Sequence, residues 1–136
     1  MNQLLGPNQE AWLKELESGN YPQTTHGFLS DNHGYCCLGV GCRTLGLAPN
    51  RTNVDTTYTL FHDEFDGQSE LAPQSLIDWL ALYDSSGDIA PEKIFCTIIG
   101  FEGIDSLVDA NDSEYSFELI AKFCRANPSA VFRESK

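Results

Sequence analysis

Cys36 and Cys37 head a short apolar segment, Tyr35 to Gly46, and a thiol that opens a helix is a recurring enzymatic nucleophile. The helix dipole favours thiolate there, and a nearby imidazole completes the pair by taking the proton. His62 is the base best placed in sequence, because it ends a stretch with strand character; His26 and His33 are alternatives. The competing expectation is that Cys36, Cys37 and Cys42 are small apolar residues in a tight helix contact, the ordinary fate of free cysteines. Exposure, thiol pKa and the reach of an imidazole separate the two.

Metal chemistry has less support. Asp63, Glu64 and Asp66 could gather a divalent ion, and Asp84, Ser86 and Asp88 have the 1-3-5 offsets of a calcium loop. Ile89 then stands where that loop needs glycine and Phe95 where it needs glutamate. Asp109, Asn111 and Ser113 fail the same check at Glu114 and Ile120. The five cysteines include no C-x-x-C pair, and the three histidines lack the spacing of a zinc site, so no metal is expected. Neither G-x-x-x-x-G-K-S/T nor G-x-G-x-x-G occurs, so no nucleotide cofactor is expected.

Binding chemistry is better supplied. The 136 residues carry 20 acidic and 8 basic side chains, a net charge of −12. Thr52 to Glu118 holds 15 of the acids against Lys93 alone, a net of −14, and leaves the rest of the chain at +2. Direct binding to nucleic acid or to an anionic membrane is excluded by that balance, since phosphate attraction needs clustered Lys and Arg. A solvated face that keeps the chain soluble is the plain account of such a run. The sharper one is a surface for a basic partner, with Asp63, Glu64, Asp66, Asp84 and Asp88 as contacts. Glu102, Asp105, Asp109 and Asp112 would extend it. A small nucleotide ligand would instead need Arg for phosphates and aromatics for bases, which Arg43, Arg51 and Arg125 with Tyr21, Tyr35 or Tyr58 could supply.

These residues must be positioned by a domain-sized chain, since single cores usually run to ~100–150 residues. Apolar spacing predicts helices over Asn8–Ser18, Tyr35–Gly46, Gln74–Leu82, Ile104–Ala110 and from Phe117 onward, the last capped by Ser116 and ended by Pro128. Gly39 and Gly41 inside the Cys-rich helix are tolerable only if a neighbour approaches closely there. Phe28–Ser30 and Tyr35–Cys37 are expected to flank a hairpin turn at Asp31-Asn32-His33-Gly34, and Ala48–Asp55 a polar linker. Thr56–His62 reads as a strand, and Lys93–Phe101 is β-branched like a strand while its i, i+4 spacing leaves a helix open; an acidic loop is expected over Asp63–Glu70 and capping-box spacing occurs at Ser75 and Asp78. The expected fold is a single compact α+β domain over residues 1–136, a small antiparallel sheet packed with several short helices. No run approaches the ~20 apolar residues of a membrane span, and Met1–Pro7 has no signal-peptide character, so a cytoplasmic chain with reduced thiols is expected.

Trp12, Ser18-Gly19-Asn20-Tyr21-Pro22-Gln23, Gly27-Phe28-Leu29 and above all Tyr35-Cys36-Cys37-Leu38-Gly39-Val40-x-Cys42 resemble a family of small bacteriophage and prophage proteins. Leu71-Ala72-Pro73, Trp79-Leu80-x-Leu82, Asn111-Asp112 and Ser116-Phe117-x-x-Ile120-Ala121 follow in the same order, so the resemblance runs from about Trp12 to Phe123. The chain departs from it at Gly41, where a larger aliphatic residue is typical, and over Lys93–Phe101. The resemblance implies a viral origin and a shared fold but no reaction. It leads to the expectation of an accessory protein in the host cytoplasm that binds and inhibits a host defence factor with a basic surface. Nucleotide sequestration and cysteine-dependent hydrolysis are the alternatives.

Overall fold

The first helix, α1 (Pro7–Glu17), starts on a proline whose missing N–H costs nothing at that position, and it buries Trp12, Leu13 and Leu16 along one stripe. A computed structural model describes residues 5–55 and 60–133 and places α1 against two later helices. One is α2 (Cys37–Leu45), whose first carbonyl, Cys37, accepts a hydrogen bond from the indole of Trp12 at 2.9 Å. The other is α5 (Phe117–Ala126), where Arg125 donates to both oxygens of Glu17 and to Glu10 at 2.7–2.8 Å.

The glycines of α2 serve the close approach that their cost requires. A methyl group on Gly39 would lie 1.8 Å from the Leu29 carbonyl oxygen, so this helix face rests directly on the preceding main chain. Leu29 in turn leads into β1 (Ser30–Asp31), which forms a hairpin with β2 (Gly34–Tyr35) around Asn32 and His33. The hairpin is shorter and its strands sit closer to the turn than the apolar residues suggest, because the Asp31 carboxylate closes the turn by accepting the His33 N–H at 2.8 Å.

Two further strands complete an antiparallel sheet of order β2-β1-β4-β3 among the described residues. The expected polar linker over Ala48–Asp55 is corrected: Asn50–Asp55 is β3, paired with β4 (Leu60–Glu64) in a register that sets Thr52 opposite His62. Residues 50–54 are exposed, so this edge strand is held by main-chain pairing and leaves no apolar alternation to read. The strand expected over Thr56–His62 runs on past His62 to Glu64, taking Asp63 and Glu64 out of the expected acidic loop; residues 56–59 lie outside the described residues.

The remaining helices are α3 (Gln74–Leu80), α4 (Leu107–Asp112) and α6 (Pro128–Val131). No capping box forms at Ser75, whose hydroxyl donates to Asp66 at 2.7 Å. The helix expected over Ile104–Ala110 begins later, where Ser106 accepts from the Asp109 N–H. Pro128 ends α5 as expected and then opens α6. The strand expected over Lys93–Phe101 is not formed. A 3₁₀ turn (Pro91–Lys93) leads into irregular chain whose N–H groups at Phe95 and Cys96 donate to the buried Asn127 carboxamide, which takes the place of a neighbouring strand. The result is a single compact α+β domain, and none of its described helices is long and apolar enough to cross a membrane.

Candidate functional site

Cys36 caps α2, with its sulfur accepting the Gly39 N–H at 3.4 Å, so the thiols do open a helix. Their surroundings are those of a core. Burial pushes the Cys36 thiol up to about 12 against the opposing pull of the Gly39 and Leu38 N–H groups, and it raises Cys37 well above the ordinary value. The Cys37 sulfur donates to the Leu107 carbonyl at 3.6 Å rather than to an imidazole. Desolvation outweighs the helix dipole here, which leaves these thiols protonated and packed. Cys42 and Cys124 are raised by the same cause, and only Cys96 is exposed.

The three histidines gather elsewhere. His62 stacks on Phe28 with ring centroids 4.5 Å apart and planes 4° from parallel. His26 packs against His33 at 4.3 Å. Between them and the β3–β4 pair lies a cleft of about 210 Å³ lined by His26, Phe28, Asp31, Asn32, His33, Val54, Leu60 and Phe61. Nδ1 of His62 is buried and has no hydrogen-bond partner among the described residues. No group of three or more metal-ligating side chains forms among the described residues.

The acidic residues divide into two kinds. Asp63 is 4% exposed, accepts from Ser30 at 2.9 Å and faces Arg51 at 3.5 Å, so it is removed from the expected contact face. Glu64 is half-buried on β4, and Asp66 is exposed beside α3. Asp84, Asp88, Asp105 and Asp109 are exposed, and the segments that carry Asp88 and Asp105 run side by side at one edge. Asp88 pairs with Ser106 in an antiparallel bridge; the Ile89 N–H donates to the Asp105 carbonyl at 2.8 Å and the Leu107 N–H to that of Gly87 at 2.9 Å. Asp84 organises this loop by accepting from Ser86 and Asp88, and those bonds hold its carboxyl below the ordinary value against the opposing effect of burial. Asp112 lies about one turn beyond Asp109 and is exposed; burial raises its carboxyl against the opposing hydrogen bond from Asn111. Glu102 is exposed three residues before Asp105. None of these edge carboxylates has an ion-pair partner among the described residues.

The residues of the nucleotide reading do not converge. Arg125 is committed to Glu10 and Glu17, and Arg51 lies 3.5 Å over the Phe61 ring. Tyr21 packs edge-on against Tyr35 at 5.2 Å. Burial and Glu15 push the Tyr21 phenol up, while the exposed Arg43 opposes them. Tyr58 lies outside the described residues.

Residues that carry no chemical signature do much of the positioning. Asn111 is fully buried: its oxygen accepts from the Cys37 N–H and from Gln23, and its nitrogen donates to the Thr24 carbonyl. In sequence it is visible only as part of an Asn-Asp-Ser triplet. Asp31, 6% exposed and lining the cleft, is visible only as a turn residue.

Fold and site together define a small α+β domain with a buried thiol cluster, an acidic edge and an aromatic cleft. The chain belongs to the family described as Domain of unknown function (DUF8296), whose model matches residues 1–127. No curated protein and no solved structure matches it.

Proposed function

We propose that the protein acts by binding, and that it inhibits a host factor by docking the acidic edge formed by Asp84, Asp88, Glu102, Asp105, Asp109 and Asp112 onto a basic surface. The observation that carries this reading is a set of exposed carboxylates without counter-ions among the described residues, with Asp88 and Asp105 on two segments joined by main-chain bonds. Charges arranged this way steer association and set specificity, and a net charge of −12 adds a long-range pull on basic partners. The resemblance to small phage proteins supports a host protein, with defence components foremost, as the target.

The test is capture from host lysate by the whole chain and by a triple variant, Asp88→Asn with Asp105→Asn and Asp109→Asn. A defined protein should be retained at about 0.05 M salt and released at about 0.5 M, as the screening length falls from about 14 Å to about 4 Å. The triple variant should fail to retain it. Capture that survives high salt, or that the triple variant matches, overturns the reading.

A further inference from the structure

Two carboxylates are almost wholly buried in this sheet, and only one of them is neutralised. Asp63 has Arg51 at 3.5 Å. Asp31 accepts from the Thr24 hydroxyl at 3.0 Å and the His33 N–H at 2.8 Å, yet has no ion-pair partner among the described residues. Buried charges are normally paired, because desolvation costs several kcal/mol per ion. Asp31 lines the cleft, whose remaining walls include the rings of Phe28 and Phe61 and the exposed aliphatic side chains of Val54 and Leu60. The lining therefore combines apolar and aromatic side chains with one buried carboxylate.

We infer that this cleft is a pocket for a guanidinium group, and that its natural occupant is an arginine side chain of the basic partner. The methylenes of such a side chain would lie along Val54 and Leu60 while the planar cation meets the aromatic walls and the Asp31 charge. The molecule already shows the mode once, in Arg51 stacked 3.5 Å over Phe61. A volume of about 210 Å³ suits one long side chain and falls short of the ~300–1,000 Å³ of pockets that hold drug-sized ligands. The source of the arginine rests on the reading proposed above; the pocket itself does not.

The experiment therefore uses a small probe, N-acetyl-arginine amide, against its uncharged isostere N-acetyl-citrulline amide, titrated into the full ¹⁵N-labelled chain. Arginine should produce saturable shifts at the His26, Phe28, Asn32 and His33 amides, with an affinity at least about tenfold above citrulline. Asp31→Asn should abolish the preference. Because Asp31 also closes the hairpin turn, His33→Lys is the second variant: it sets an ammonium at the exposed rim, keeps the main-chain bond, and should weaken arginine binding by about tenfold or more. Equal shifts from the two amides, shifts confined to residues 84–112, or unchanged binding by folded His33→Lys each overturn the pocket. The Asp88/Asp105/Asp109 variant should still bind the arginine probe. Salt-sensitive capture of a host protein without arginine binding would thus remove the pocket and leave the acidic edge standing.

Discussion

Gly39 and Gly41 sit two residues apart on one short helix and carry different burdens. A Cβ at Gly39 meets the Leu29 carbonyl at 1.8 Å, a main-chain atom tied into the hairpin. At Gly41 the nearest atoms are Leu76 methyls at 3.1 and 3.3 Å and the Trp12 indole nitrogen at 3.3 Å. In an exposed helix either change to alanine would gain about 1 kcal/mol from propensity alone. Here Gly39→Ala should cost about 3 kcal/mol or more, since backbone must move, whereas Gly41→Ala should stay within about 1 kcal/mol because the leucine can rotate. Urea unfolding of the two variants checks the contrast. The departure from the resembled family at Gly41 thus falls where a side chain is the limiting neighbour. The same helix also settles the thiols, since a face that rests on main chain excludes the water a thiolate would need.

At the level of elements, α1 and α5 are joined by an ionic clamp whose strength depends on pH. Hydrogen bonds from Arg125 hold Glu10 and Glu17 below their ordinary value of 4.5, with burial opposing. A carboxylate lowered in the folded state contributes stability above its unfolded value and loses it as pH falls through the folded one. The melting temperature of the intact chain should therefore exceed that of Arg125→Met at neutral pH, and the gap should close as pH drops below 4.5. The effect should be modest, as these carboxylates are largely solvated. Elements whose signals are local are legible in sequence: α1 from its apolar stripe, α5 from the Ser116 cap and its buried face, α2 from glycines that demand close packing. Elements defined by a distant partner are not. β3 is exposed and mostly polar because main-chain pairing and the contacts of Arg51 with Asp63 and Phe61 hold it, and the Lys93–Phe101 stretch is β-branched yet answers to one asparagine about thirty residues on. The site divides in the same way: the excess of acid is legible, but the burial of Asp63 and the uncompensated charge of Asp31 depend on which strands meet.

For the whole molecule, the −14 of residues 52–118 is concentrated on one stretch of chain, and folding brings part of it to one edge. Self-repulsion of that kind opposes compaction and is relieved by ions. Raising salt from about 0.02 M to about 0.3 M should lift the melting temperature by several degrees. The Asp88/Asp105/Asp109 variant should melt higher than the native chain at low salt and respond less to added salt. A native chain that melts alike at both salts would mean the edge stores no such repulsion. Around Asn127 the molecule departs from the usual link between exposure and looseness. Phe95 is 72% exposed, yet the main chain at Phe95 and Cys96 is gripped by a fully buried carboxamide that also donates to the Cys96 carbonyl. A protease must draw several residues of main chain into its own cleft before it can cut, so the inviting Phe95 side chain is displayed on a backbone that is already occupied.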